Sequence, residues 1–207
     1  MDALLMAGGA GTRMGGVEKP LVAVAGRPMI DLVIEALQGC RRVGHVYVAV
    51  SPKVPRTVAY LKPACRPGGR LSVVETPGAG YVEVMVAAAR LAALDRPFLV
   101  IAADLPLVTP DVIDRAIACY EASGKEALSV RLDLSALPAG LKPDTVLTDG
   151  GRATVPVGVN IVDGRRLDRP QEELVFVVRD GRLAVNVNYP EDVAACEELM
   201  KGDGAHR

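Results

Sequence analysis

Short apolar runs alternate with longer segments of helical periodicity in the first half of the chain, and this alternation constrains the fold more than any other feature. The runs of strand length are residues 3–6, 46–50, 71–74 and 98–102. The segments with helical spacing of apolar residues are 29–37, 55–62, 81–94 and 110–122. Strands and helices that alternate in this way form a largely parallel sheet, with right-handed crossovers and helices on both faces. The pattern therefore predicts an α/β fold.

The second half of the chain follows a different pattern, because its apolar runs are separated by glycine, proline and aspartate turns. Strands are predicted at residues 127–131, 145–147, 155–162, 175–178 and 183–188, with a closing helix at 190–200. We expect these strands to form a small mixed-sheet extension over the end of the parallel sheet. A chain of 207 residues fits a single three-layer domain, 1–207.

The composition favours a small-molecule substrate over a nucleic acid or a membrane. The formal net charge is −1, and the aromatic residues are five tyrosines and two phenylalanines, so the basic face and stacking platforms of a nucleic-acid binder are not expected. The longest apolar stretches are strand-length, well short of the ~20 residues that cross a bilayer. Without a basic leader before residue 3, we expect a cytoplasmic protein. The four cysteines are scattered, which argues against a zinc site or a disulfide framework.

A glycine-rich segment follows the first predicted strand and contains five glycines between Gly8 and Gly16. Glycine permits positive φ values and close approach, so consecutive backbone amides can point at phosphate oxygens. Arg13 and Lys19 add two cations, of which the first can bind phosphate bidentately and the second is a mobile point charge. A glycine turn without a ligand would leave both cations unexplained. The segment therefore predicts a site for a polyanion.

Two better-known glycine motifs do not fit this segment. A P-loop requires Gly-Lys-Ser/Thr at the start of a helix, whereas Lys19 lies between Glu18 and Pro20. The dinucleotide fingerprint requires Gly or Ala at position 14, where the chain has Met14, and an acidic residue after the second strand, where it has Ser51. A dinucleotide-dependent oxidoreductase is therefore disfavoured.

The loop motif resembles that of a known superfamily. The run Gly8-Gly9-x-Gly11-Thr12-Arg13-Met14-Gly15, followed by Lys19-Pro20, is similar to the signature of the MobA-like nucleotidyltransferases, which include molybdenum-cofactor guanylyltransferase and the sugar-phosphate nucleotidyltransferases. Within that superfamily the chain resembles the archaeal-type GTP:adenosylcobinamide-phosphate guanylyltransferases over nearly its whole length. The segments that carry this closer resemblance are 1–4, 15–21, 51–52, 80–81 and 156–160. The resemblance implies a Rossmann-like nucleotidyltransferase fold.

The resemblance also implies a reaction, the transfer of GMP from GTP to adenosylcobinamide phosphate with release of pyrophosphate. The catalytic residues would then be Arg13, Lys19 and Asp104. In an open α/β sheet the loops that follow the strands converge, so nucleotide contacts are expected beyond the strand ends. The predicted nucleotide-binding residues are Leu5, Ala7, Gly8, Gly9, Gly11, Thr12, Arg13, Lys19, Ser51, Gly78 and Gly80. A plain turn explains the loop at 75–81 almost as well.

Asp104 follows the strand predicted at 98–102 and places a carboxylate at the carboxyl edge of the sheet. Mg²⁺ usually binds one or two carboxylates together with substrate phosphates. A helix cap is the alternative role, but Thr109 adjoins the next helix more directly. We therefore expect Asp104 to bind Mg²⁺, and by resemblance it matches the metal-binding aspartate of the family.

Asparagine is rare in this chain, and its three copies all lie in the second half, at Asn160, Asn186 and Asn188. The last two lie in a segment that resembles the Asn-x-Asn-x-Pro-Glu-Asp segment of the guanylyltransferases, whose asparagine helps to hold metal or phosphate. Asn186 is assigned to the metal beside Asp104, and Asn160 and Asn188 to the acceptor or phosphate side. Because residues two apart in a strand share a face, the sequence leaves open which of Asn186 and Asn188 faces the metal. A turn cap before Pro190 is the plain alternative for Asn188.

Other functions share the same loop. A molybdenum-cofactor guanylyltransferase or another nucleotidyltransferase would use it with a different acceptor. A regulatory protein that binds a nucleotide without turnover is the alternative from another class, although Arg13, Lys19 and Asp104 are all present. As for oligomeric state, an exposed apolar strand in the second half would allow two chains to pair as a homodimer.

Overall fold

Alternating strands and helices build an eight-stranded sheet, beside a separate two-stranded hairpin of β2 and β3, in the computed structural model, which describes residues 1–9, 11–12, 14–78 and 80–204. The strands are β1 Ala3–Met6, β2 Ala23–Val24, β3 Arg27–Pro28, β4 Val46–Val50, β5 Leu71–Glu75, β6 Pro97–Ala102, β7 Ala127–Asp133, β8 Leu147–Asp149, β9 Arg152–Asp163 and β10 Glu173–Val178. The α-helices are α1 Met29–Gly39, α2 Pro55–Leu61, α3 Tyr81–Leu91, α4 Pro110–Ser123 and α5 Pro190–Gly204. The described helices include none that is long and apolar enough to cross a membrane.

The central sheet has the strand order β10-β7-β9-β6-β1-β4-β5, and β8 pairs with β9. Strand β1 lies in the middle of the parallel part, between β4 and β6. Strand β9 runs antiparallel to both β6 and β7, whereas β10 runs parallel to β7. The mixed extension expected from the sequence is therefore present, but it lengthens the sheet at one edge and does not lie over its end.

Helices cover both faces of the sheet because the apolar side chains of β1 alternate between the two faces. Leu5 is fully buried in a large core with residues of α1, α2 and α4, such as Val33, Leu61 and Ile113. Leu4, on the opposite face, is buried in a second core with Val84 and other residues of α3. This alternation is the period of two that a strand imposes. The three-layer α/β prediction is confirmed.

Helix α5 packs in a third, smaller core at the carboxyl end of the sheet. Cys196 of α5 is buried there with Val24 of the β2–β3 hairpin and Met29 of α1. Val187, from the segment that precedes α5, is fully buried in the same core. The C-terminal helix therefore packs against the part of the chain that follows the glycine-rich loop.

The sequence predicted most elements correctly and one strand wrongly. No strand forms at 183–188 in the described part of the chain. A 3₁₀ helix spans Gly181–Ala184 instead, because the Asp180 carboxylate accepts a hydrogen bond from the Arg182 amide, at 3.1 Å, and starts a turn. The apolar residues that suggested a strand, Val185 and Val187, are buried against α5 without joining the sheet. The short β2–β3 hairpin was not predicted.

Glu18 anchors the end of the glycine-rich loop to helix α2. Its carboxylate is buried and accepts hydrogen bonds from the amides of Arg56 and Thr57, at 2.8 and 2.6 Å, and from the Thr57 hydroxyl at 2.6 Å. These amides lie in the first turn of α2, where they lack partners within the helix. The N-cap residue, Val54, has no side chain that could accept them. Glu18 thus caps a helix from a distant part of the chain.

The same contacts set the pKa of Glu18. Burial alone would raise it, but the hydrogen bonds from Thr57 and Arg56 stabilise the carboxylate and outweigh burial, so the pKa lies below the ordinary value of 4.5. A lowered pKa in the folded state means that the charged form stabilises the fold above pH 4.5. That contribution is lost as the pH falls through the folded-state pKa.

We predict that Glu18→Ala lowers the free energy of unfolding by about 2 kcal/mol at neutral pH, because the two buried donors of Thr57 and the partly buried amide of Arg56 lose their acceptor. Glu18→Gln should cost less, since one amide oxygen remains. Urea denaturation measured against pH should show the wild-type advantage over Glu18→Gln shrinking below pH 4.5. Glu35→Gln, which removes an exposed charge paired with Arg27, is the control and should change little. If the difference in unfolding free energy between the wild type and Glu18→Gln did not change with pH, the stabilising role of the Glu18 charge would be contradicted.

Candidate active site

The loops at the carboxyl ends of β1, β4, β5 and β6 enclose a cavity of about 250 Å³, which we call the nucleotide cavity. This is where an open α/β sheet places its ligands. Eight of the residues predicted for the site line this cavity, namely Ala7, Gly8, Gly9, Lys19, Ser51, Gly78, Gly80 and Asp104. Among the residues that the structure describes, the charged ones that line it are Lys19, Lys53 and Asp104, two cations and one anion. The balance suits a negatively charged ligand.

Ser51 holds two of these loops close together. Its hydroxyl donates a hydrogen bond to the Gly8 carbonyl at 3.0 Å. Gly78 adopts a φ of +75°, and a Cβ atom there would lie 3.2 Å from the Ser51 Cβ and 3.3 Å from the Pro52 Cδ. A larger residue at position 78 would therefore be strained and would push the loop after β5 away from the loop after β4. Ser51 and Gly78 therefore lie on the side of the nucleotide cavity beyond β4 and β5, away from Asp104, which follows β6.

Gly11 closes the glycine-rich loop onto the residues around Lys19. Its φ is +64°, and a Cβ atom would lie 2.2 Å from the Val17 carbonyl oxygen and 2.8 Å from the Lys19 amide nitrogen. Only glycine fits so close an approach. Gly11 therefore shapes the loop, although it does not line the cavity.

Besides Gly11, three predicted nucleotide-binding residues are not among the described residues that line the cavity. Thr12 is exposed and lies outside the cavity. Leu5 is fully buried in the large core, and its backbone pairs with β4 and β6, so it has no free group for a nucleotide. Arg13 lies outside the described residues.

Lys19 is the centre of the site. Its ammonium donates to Asp104 Oδ2 at 2.5 Å and to Asn188 Oδ1 at 2.7 Å. Asp104 follows the end of β6, and its carbonyl oxygen accepts a hydrogen bond from the Val187 amide at 3.0 Å. The side chains of Lys19 and Asp104 are each 18% exposed, so the ion pair is largely shielded but open to the cavity. Three distant segments of the chain therefore meet at one ammonium.

One oxygen of Asp104 has no partner. Asp104 Oδ1 is buried and accepts no hydrogen bond within the described part of the chain, whereas Oδ2 binds Lys19. A buried carboxylate oxygen without a partner is costly unless a ligand completes it. Within the same described residues, no group of three or more His, Cys, Asp or Glu side chains is arranged to hold a metal by itself. A cation at Asp104 would therefore need further ligands of other kinds, such as amide oxygens, water or the phosphates of a bound substrate.

A second and larger cavity, of about 760 Å³, lies beside the first, and we call it the distal cavity. Its walls come from the loop that precedes β8, from β9 and from the segment around the start of α5. Asn186 and Asn188 both line it, and Asn188 also contacts Lys19. The Lys19 contacts therefore lie between the two cavities.

The three asparagines occupy different positions. Asn186 and Asn188 alternate with the buried Val185 and Val187, so both face the same side, as their spacing of two predicted. Asn188, not Asn186, contacts the Lys19–Asp104 pair. Asn160 lies on β9, where it pairs with Val100 of β6 and Ser129 of β7.

Sequence reasoning missed several residues that shape or line this site, among them the charged residues Glu18, Lys53 and Asp192. Glu18 was considered only as evidence against a P-loop, and its partners on α2 are 38 and 39 positions away. Lys53 lines the nucleotide cavity and lies three residues beyond the end of β4, in a loop that we expected to converge on the site, so that loop was the available signal. Asp192 accepts hydrogen bonds from the backbone amides of Asn188 and Tyr189. Contacts between a side chain and the backbone leave little trace in a single sequence.

Comparison with known proteins agrees with this geometry. Residues 3–143 match the family described as the MobA-like NTP transferase domain. The chain is 33% identical over 204 residues to the adenosylcobinamide-phosphate guanylyltransferase of Methanocaldococcus jannaschii, which covers 99% of this chain and 100% of that protein. It is 27% identical to the bifunctional protein GlmU of Rhodospirillum rubrum over 89% of this chain and 38% of that protein.

A solved structure shares the fold at low sequence identity. HddC from Yersinia pseudotuberculosis, in a complex with GMP-PN, superposes with a TM-score of 0.70 at 17% identity. The match covers 96% of this chain and 99% of that one. Because the family match covers more than half of the chain and includes both Lys19 and Asp104, the protein belongs to the MobA-like NTP transferase family.

Proposed function

We propose that the protein is a guanylyltransferase that transfers GMP from GTP to adenosylcobinamide phosphate and releases pyrophosphate. The observation that carries this proposal is the Lys19–Asp104–Asn188 cluster, which lies between the nucleotide cavity and the larger distal cavity. The full-length match to the Methanocaldococcus jannaschii enzyme supports the identity of both substrates.

The nucleotide cavity runs along the carboxyl ends of four neighbouring strands. It extends from Asp104 beyond β6, past β1 and β4, to Gly78 beyond β5. Three steps between neighbouring strands, at about 4.8 Å each, span roughly 14 Å. We propose that the phosphates lie on the glycine-rich loop near Lys19, where backbone amides and Arg13 would bind the β- and γ-phosphates, and that the base lies towards Ser51 and Gly78.

Lys19 is proposed to act on the reacting phosphate. The terminal phosphate oxygen of the acceptor would attack the α-phosphorus of GTP in line with the leaving pyrophosphate. Such a reaction needs no covalent enzyme intermediate, because positioning and charge neutralisation lower most of the barrier. The ammonium of Lys19, between the two cavities, is suited to neutralise the charge that develops at the α-phosphate. Asp104 and Asn188 would keep it there.

Asp104 is proposed to bind a divalent metal. Nucleotidyltransferases of this kind generally use one. The unpartnered Asp104 Oδ1 fits this role, since Mg²⁺ takes few protein carboxylates and completes its shell with phosphates and water. Bound there, Mg²⁺ would offset phosphate charge. Because Asn188 shares Lys19 with Asp104, we now assign the amide beside the metal to Asn188 and place Asn186 on the acceptor side.

The distal cavity is proposed to bind the acceptor. It is about three times as large as the nucleotide cavity, which suits an acceptor larger than a sugar phosphate. Asn188 joins the two cavities, so a phosphate bound near it would approach Lys19. Asn160, which lies on β9 between β6 and β7, remains a weaker candidate for the acceptor side.

Other properties stay predictions. We propose that residues 1–207 form one MobA-like domain, because a single sheet runs through both halves of the chain. A cytoplasmic location and a homodimer rest on the sequence alone. Molybdenum-cofactor guanylyltransferase remains the alternative with the same nucleotide site and a different acceptor.

We predict that GTP raises the melting temperature more than ATP, CTP or UTP when each is offered with Mg²⁺. Pyrophosphate release from GTP should then require adenosylcobinamide phosphate, and molybdopterin should not replace it. Chelation of divalent metal should abolish turnover. Nucleotide binding without pyrophosphate release in the presence of either acceptor would favour a regulatory protein instead.

We predict that Lys19→Ala lowers kcat by about 100- to 1,000-fold, because the developing charge loses its counter-ion. The variant should still fold, as circular dichroism would show, with a lower melting temperature because Asp104 loses its counter-ion. Lys62→Ala, which removes an exposed lysine from the 3₁₀ helix after α2, is the matched control and should leave kcat unchanged. Near-wild-type turnover of Lys19→Ala would rule out the proposed role.

A further inference from the structure

Asn188 contacts Lys19 from a segment that has no regular secondary structure. Residues 185–189 belong to no helix and pair with no strand, so their conformation is fixed by other contacts. On one side, the Val187 amide donates to the Asp104 carbonyl oxygen at 3.0 Å, and the Val187 side chain is buried. Asn188 itself needs a further restraint if its side chain is to face Lys19.

Asp192 supplies that restraint. Its Oδ2 atom accepts hydrogen bonds from the Asn188 amide at 2.7 Å and from the Tyr189 amide at 2.8 Å. Asp192 is the third residue of α5, where a negative charge is favoured by the helix dipole. One carboxylate oxygen therefore fixes two consecutive backbone amides directly before the helix.

We propose that Asp192 is a positioning residue, which holds Asn188 so that its amide oxygen receives the Lys19 ammonium. The chain of contacts runs from Asp192 to the Asn188 backbone and from the Asn188 side chain to Lys19, with distances of 2.7 Å at both steps. The predicted effect of Asp192 on turnover rests on the proposed function, whereas its predicted effect on the position of the Asn188 backbone does not.

Glu197 provides a matched control on the same helix. It also accepts a hydrogen bond from a backbone amide, that of Ala25, at 2.9 Å. That amide lies on the turn of the β2–β3 hairpin, away from Asn188. Removing Glu197 therefore removes a comparable acceptor of α5 without releasing the residue that contacts Lys19.

The experiment compares Asp192→Ala with Glu197→Ala. Because small displacements of catalytic groups reduce rates strongly, Asp192→Ala should lower kcat about tenfold while the KM values for GTP and for the acceptor change less than about twofold. Asp192→Asn keeps one acceptor oxygen and should recover most of the loss. Glu197→Ala should keep the wild-type kcat.

A double-mutant cycle separates positioning from general damage. In an Asn188→Ala background, Asp192→Ala should lower kcat no further, because the group that it positions is already absent. A tenfold loss in both backgrounds, or a wild-type kcat in the single variant, would overturn the proposal. A rise only in the acceptor KM would overturn it as well and assign Asp192 to acceptor binding.

A readout without turnover distinguishes this proposal from the proposed function. Hydrogen exchange followed by NMR should show that the Asn188 and Tyr189 amides lose protection in Asp192→Ala and keep it in Glu197→Ala. Unchanged protection in Asp192→Ala would refute the restraint even in an active enzyme. If the wild type released no pyrophosphate, the proposed function would be wrong. The exchange data would still show whether Asp192 restrains the backbone at Asn188.

Discussion

The ammonium of Lys19 is the point on which the site depends. It joins Asp104, which is 85 positions away in sequence, and Asn188, which is 169 positions away. The end of the glycine-rich loop, the carboxyl end of β6 and the start of α5 must therefore all be in place for this cluster to form. The residues that match the family end at 143, so the cluster is completed by the second half of the chain.

The electrostatics of this cluster indicate function more than stability. In a largely shielded ion pair, the attraction between the charges is little larger than the free-energy cost of removing both charges from water. The pairing of Lys19 with Asp104 is therefore weak evidence for a stabilising role. The ion pair holds the Lys19 ammonium between the nucleotide cavity and the distal cavity before any phosphate is bound. Glu18 supports it from the other side, because it anchors the residue before Lys19 to α2. Such preorganisation is what charge stabilisation in a transition state requires.

Much of this arrangement could be predicted from the sequence. The alternation of apolar runs and helical segments indicated the parallel sheet, and the sheet in turn indicated that the loop with Lys19 would meet Asp104. The glycine at position 11 is explained by a close approach to Val17 that no other residue allows. What could not be predicted depends on contacts between distant side chains and backbone amides. Glu18 and Asp192 are ordinary acids in the sequence, and the buried valines before α5 were misread as a strand.

A crystal structure with a non-hydrolysable GTP analogue and Mg²⁺ would test the central claim most directly. We expect the triphosphate to lie along the glycine-rich loop, with the Lys19 ammonium within about 3 Å of an α-phosphate oxygen. The metal should bind the free oxygen of Asp104. A triphosphate bound elsewhere, with Lys19 still paired only to Asp104 and Asn188, would contradict the account.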